Sequence, residues 1–243
     1  MLKKLPLGTL INVVAVIIGS GIGLLLQESF PESIKTIIFQ AIGLGILLIG
    51  IMMSLKLPDG LLLHLIFSLI IGGIIGQLIG LDVVFANLGD NLKASLNITE
   101  EGFTQGLITA FLIFCIGSMT IVGAIEEGIS GKKELLLVKS LLDGITAIAL
   151  ASSFGIGVLF SVIPLLIFQG GITILAKQAQ KFFNEKMVQA LSATGGLLII
   201  ALSINILQIG KLTIENLLPS IIVIGVLVWA QKLIQNKRKQ KIN

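Results

Sequence analysis

Residues 117–144 read GSMTIVGAIEEGISGKKELLLVKSLLDG. An apolar, glycine-studded run leads into Glu126 and Glu127, and a short basic turn follows at Lys132 and Lys133. A second apolar run then opens with Lys139 and Asp143 already inside it. Two apolar stretches joined by a charged turn describe a helical hairpin whose arms lie in hydrocarbon and whose turn lies in water. In such an arm charge is rare and expensive, so Asp143 and Lys139 need a reason to be there.

The rest of the chain reads the same way. Of its 243 residues 55% are hydrophobic and only 12% charged, with a mean hydropathy of +1.05. Soluble domains are about one quarter charged. A water-facing surface cannot be built from this composition, whereas a lipid-facing one can. Apolar runs occupy about 7–26, 34–55, 61–81, 103–125, 135–151, 156–175, 187–209 and 217–233. Each approaches the roughly 20 residues that span a bilayer. The reading is an all-α polytopic membrane protein of about eight spans, one integral membrane domain over 1–243 with a basic tail at about 234–243. The runs are continuous rather than alternating, which excludes a β-barrel.

Loop charge orients the bundle. Lys3 and Lys4, Lys56, Lys132 and Lys133, then Lys177, Lys181 and Lys186, and finally the tail with Lys237, Arg238, Lys239 and Lys241 fall on one side of an eight-span arrangement. The loop from Asp82 to Thr104, with Asp90, Glu100 and Glu101, falls on the other. Both termini are expected to be cytoplasmic. The net charge of +4 is therefore an address for anionic lipid and not for nucleic acid.

Small residues let helices approach in lipid. Gly106, Ala110, Gly117, Thr120 and Ala124 form one stripe leading to Glu127, Gly43 and Gly50 lie on another, and Gly196 on a third. These stripes are read as packing faces, and they make a homo-oligomer plausible. At an offset of 149 residues Gly8 meets Gly157, Asn12 meets Ser161, Gln40 meets Gln189 and Ser54 meets Ser203. Segments one and two would then repeat as six and seven in opposite orientation, the inverted repeat of many secondary transporters. A polar set is expected to converge between such halves: Asn12, Ser20, Gln40, Gln169, Thr173, Gln189, Ser192 and Asn205. Pro164 is expected to kink the sixth segment.

Lys139 and Asp143 are four apart and share a helix face. Glu126 and Glu127 end the preceding helix on the same side. The four are read either as a gating or coupling group at the cytoplasmic mouth or as an interfacial salt-bridge cluster that locks the hairpin, with Lys139 reaching toward the interface and Asp143 the member that points to function. No enzyme signature occurs: one histidine and one cysteine make no metal or haem site, and the chain is read as neither an enzyme nor a cofactor binder.

The stretches GTLINVVAVIIGSGIGLLL (8–26), QAIGLGILLIGIMM (40–53), CIGSMTIVGAIEEG (115–128), KSLLDG (139–144) and QGGITILA (169–176) lie in order along the chain. Together they resemble the domain-of-unknown-function 554 family of bacterial membrane proteins, the YqgA/YdfK-like proteins. The resemblance covers essentially the whole chain. It implies a protein of the bacterial cytoplasmic membrane and supplies no catalytic or binding residues. The expected function is a secondary transporter or channel-like permease for a small solute or ion. The alternative is a non-transporting scaffold or subunit that binds other membrane proteins.

Overall fold

A computed structural model describes residues 6–29, 31–96, 102–115, 118–176, 178 and 183–242. Twelve helices are described: α1 (Leu7–Ser29), α2 (Glu32–Ser54), α3 (Leu62–Ile79), α4 (Leu81–Leu96), α5 (Phe103–Cys115), α6 (Ser118–Ser130), α7 (Glu134–Phe154), α8 (Gly157–Phe160), α9 (Val162–Ile174), α10 (Glu185–Ile206), α11 (Ile214–Leu217) and α12 (Ser220–Ile242). No strand occurs among the described residues. By length and composition six stretches can cross a bilayer, or seven when α5 and α6 are taken as one bent span. The apolar part of α2, Gln40–Ser54, is shorter.

The surface carries the same message as the composition. Leu25, Leu78, Ile167 and Ile222 are each more than two-thirds exposed, and large aliphatic side chains cover the outside of α1, α3 and α9. Polar side chains go inward instead: Thr9, Asn12, Ser20, Thr109, Thr120, Gln169, Thr194 and Ser203 are fully buried. In hydrocarbon this inversion is the stable arrangement, because a polar group there needs an internal partner.

Close helix contacts define how the elements run. Gly43 lies against Leu207 and Gly50 against Gly196, so α2 and α10 are antiparallel. A methyl group added at Gly50 would collide with the Gly196 carbonyl, and one at Gly196 with the Gly50 carbonyl. The Ser203 hydroxyl donates to the Gly43 carbonyl at 2.7 Å across the same interface. Gly72 lies on Ser220 and Gly76 on Asn216, so α3 and α12 are antiparallel too. By contrast Gly8, Gly19 and Gly23 of α1 meet Leu136, Gly144 and Ala151 of α7 in rising order, and this pair is parallel. α10 is the central element, buried along nearly its whole length from Met187 to Ile206.

Several expectations change. The fourth apolar segment is not one helix: α5 and α6 meet at a bend of 57°. Across the bend the Phe114 carbonyl accepts from the Thr120 hydroxyl at 2.9 Å. The long acidic loop is largely helix α4, whose Leu81, Phe85, Leu88 and Leu92 recur with helical period. The sixth segment is interrupted at Ser161, between α8 and α9, three residues before Pro164, where the missing N–H and ring of a proline disturb a helix. Pro164 itself occupies the first turn of α9, where an absent N–H costs that helix no bond. Gly155, at φ 72, ends α7 and lets the chain reverse into α8. Lys3, Lys4, Gly117, Glu100, Glu101, Lys177 and Lys181 lie outside the described residues.

Candidate functional site

Asp143 is nine residues into α7, about 13 Å along its axis at 1.5 Å per residue. The position is well inside a 21-residue apolar stretch long enough to cross a bilayer. The parallel contact with α1 sets its surroundings. Gly19 and Gly144 let the two backbones approach, and this brings Asn12 onto the Asp143 carboxylate. The Asn12 amide Nδ2 donates to Asp143 Oδ2 at 2.9 Å and to Gln169 Oε1 of α9 at 3.1 Å. Gln169 Nε2 donates to Thr9 Oγ1 at 3.2 Å. Thr9 and Thr173 bring their hydroxyls to 3.5 Å, and Thr173 donates onward to the Gln169 carbonyl at 3.0 Å. Three helices distant in sequence thus share one buried polar cluster.

Lys139 donates to Asp143 Oδ2 one turn away on α7. It does not reach the interface: it is 4% exposed, and its ammonium lies 6.0 Å from the centre of the Phe114 ring. This corrects the expectation of a snorkelling lysine. Phe114 is the penultimate residue of α5, so Lys139 sits where the bent α5–α6 pair breaks. The negative end of the α5 dipole favours a cation at that position. Asp143 is 7% exposed. Removing either partner would leave an uncompensated charge, at a cost of about 3–5 kcal/mol.

Glu127 and Glu126 separate, although adjacent in sequence. Glu127 is buried, and its Oε1 accepts from the Gly8 N–H at 2.6 Å. It therefore caps the first turn of α1 from another helix, where amides are free and the dipole is positive. Glu126 is exposed and lines a shallow surface recess with Lys132, Glu134, Leu135 and Val138. Among the described residues two buried acceptors in this region have no partner: Asn12 Oδ1 and Glu127 Oε2.

The expected polar set does not gather as a whole. Asn12, Gln169 and Thr173 meet, whereas Ser20 is buried two turns further along α1 with its hydroxyl unpaired. Gln40 is exposed. Gln189 donates to Glu185 at 3.2 Å on the first turns of α10. Ser192 is buried on α10. Asn205 exchanges two 2.8 Å hydrogen bonds with the Leu212 backbone and ties down the turn after α10. Gly106 packs against Phe154 and Val158. Sequence reasoning passed over Thr9, although it lies one turn before Asn12 on the same face of α1.

The fold and this buried cluster define a polytopic α-helical membrane protein. The chain belongs to the family described as protein of unknown function (DUF554), which matches residues 7–229. It is 36% identical over 224 residues to the uncharacterized membrane protein YdfK of Bacillus subtilis (strain 168), covering 91% of this chain and 95% of that protein. It is 32% identical over 220 residues to the uncharacterized protein YqgA of Escherichia coli (strain K12), covering 89% and 93% respectively. No solved structure matches it.

Proposed function

We propose that this protein is a secondary transporter or channel-like permease for a small solute or ion in the bacterial cytoplasmic membrane, and not an enzyme. The observation that carries the reading is the Lys139–Asp143 pair, buried within an apolar candidate span, held by an amide from α1 and set against the break between α5 and α6. Ionisable groups inside spans mark substrate or ion paths, and discontinuous helices form the sites of many transporters. Asp143 is the coupling or gating carboxylate. Lys139 holds it, and Asn12, Gln169, Thr9 and Thr173 form one polar wall.

Helix directions support two mobile halves. In the proposed repeat the first and second spans correspond to α8–α9 and α10, and by extension the third corresponds to α11–α12. Thr9 and Asn12 of α1 meet Thr173 and Gln169 of α9 in falling order, so that pair is antiparallel, as are α2–α10 and α3–α12. Each early span therefore packs in inverted orientation on its own counterpart. The reading takes α2 and the bent α5–α6 pair each as one crossing beside the six longer stretches, for eight crossings with both termini in the cytoplasm.

The test is solute flux in proteoliposomes. Asp143→Asn keeps the shape and the Asn12 contact but strands the Lys139 ammonium, so it is assayed beside the neutral double variant Lys139→Gln/Asp143→Asn. Flux is expected to fall at least tenfold while the protein elutes as the native species, and unchanged flux would remove Asp143 from the mechanism. A second reading, a non-transporting membrane subunit, draws on one observation. An apolar groove of about 750 Å³ runs along α12, lined among others by Phe85, Phe111, Phe168, Leu191, Ile221 and Trp229.

A further inference from the structure

We infer that the ligand of this site is a small zwitterion, a molecule with an ammonium and a carboxylate a few bonds apart, as in an α-amino acid. The inference rests on the permease reading and names its substrate class.

The argument is one of charge balance in a dry interior. The site holds one cation and one anion, Lys139 and Asp143, both at least nine-tenths buried. Glu127 stands apart from this balance, because its carboxylate faces the amide end of α1. A metal cation or a simple anion entering would leave one buried charge unanswered, which costs several kcal/mol. An uncharged polyol would have to break the resident ion pair with nothing of opposite charge to offer either half. A zwitterion brings both signs. Its carboxylate takes the Lys139 ammonium and its ammonium takes the Asp143 carboxylate, so one ion pair becomes two and the site stays neutral.

Hydrogen-bonding capacity matches that exchange. Asn12 is fully buried, its Nδ2 is already committed to Asp143 and Gln169, and its Oδ1 has no donor among the described residues. An ammonium seated on Asp143 is the kind of group that would supply one. An ammonium has three N–H donors, of which Asp143 engages one from Lys139; opening that bridge frees all three for an incoming carboxylate. Insertion also has a mechanical consequence. The resident bridge must open, which moves Lys139 away from α7's own carboxylate and toward the α5–α6 break. Binding then favours a different arrangement of the bundle, as coupling of ligand to conformation requires.

The chain carries its own reporter. Cys115 is its only cysteine, is fully buried, and ends α5 beside Phe114. The intact protein in proteoliposomes is treated with N-ethylmaleimide while glycine, alanine or serine is titrated in. Ethylamine, propionate and glycerol serve as cation-only, anion-only and uncharged probes. The amino acids are expected to change the Cys115 alkylation rate at least threefold at millimolar concentration and to be transported, with little effect from the other three. The neutral double variant Lys139→Gln/Asp143→Asn is expected to lose that response. Should it fail to fold, the panel on the unaltered protein decides alone. Transport of glycerol, ethylamine or propionate in preference to the amino acids overturns the zwitterion and leaves the permease standing. An alkylation rate that no probe changes, with no flux of any, overturns both.

Discussion

Asp143 and Lys139 are paired at the cost of desolvating two charges, and that cost decides what substitutions do. Asp143→Ala strands the Lys139 ammonium and should destabilise the protein by about 3–5 kcal/mol. Lys139→Met/Asp143→Leu removes both charges and should recover most of that loss, since hydrophobic replacement of a buried pair is often neutral or stabilising. Thermal unfolding in detergent distinguishes these outcomes. A double variant no more stable than Asp143→Ala would mean that the pair contributes through something other than mutual neutralisation. Glu127→Gln keeps an acceptor for Gly8 N–H but removes the anion at the α1 terminus. It should cost about 1 kcal/mol, the scale of a charge at a helix end, read as a modest fall in melting temperature.

Single elements differ in how they tolerate change. α2 and α10 touch backbone to backbone at Gly50 and Gly196, and a side chain at either position meets a carbonyl of the opposite helix. Gly196→Leu should separate the helices, uncouple Ser203 from Gly43 and abolish the folded species on size exclusion. Gly21 and Gly45 have open space around a Cβ, so Gly45→Ala should be close to neutral or slightly stabilising through its helix propensity. The bent pair α5–α6 depends on a different device. Thr120→Val removes the hydroxyl that donates to the Phe114 carbonyl and should cost about 1–3 kcal/mol in stability. A Thr120→Ser variant that keeps the donor should restore it.

The whole molecule can be tested by where its ends lie. The proposed eight crossings would place both termini on one side, and the basic tail would direct that side to the cytoplasm. Reporter fusions at residue 243 and before residue 1 should both report cytoplasm. Opposite sides would require one span more or fewer than eight. The proposed inverted repeat of segments one and two as six and seven rests on the same proposed count, so a single topology measurement bears on both.

The sequence by itself determined the membrane class, the approximate positions of the helices and the suspicion attached to Asp143. Those are local properties: twenty apolar residues span hydrocarbon wherever they occur, and a carboxylate among them is costly whatever lies nearby. It did not reveal the bend near the start of residues 117–144, because the Thr120–Phe114 hydrogen bond across it depends on geometry and not on residue type. Nor could it separate Glu126 from Glu127, which differ by about 100° around one helix and so face surface and interior. Only the tertiary structure chose the neighbours of Asp143. Asn12 and Gln169 lie 131 residues before it and 26 after it in the chain, and glycine contacts between α1 and α7 bring Asn12 within hydrogen-bonding reach. Helix adjacency depends on which small faces fit together, a property of pairs of helices that no single segment carries.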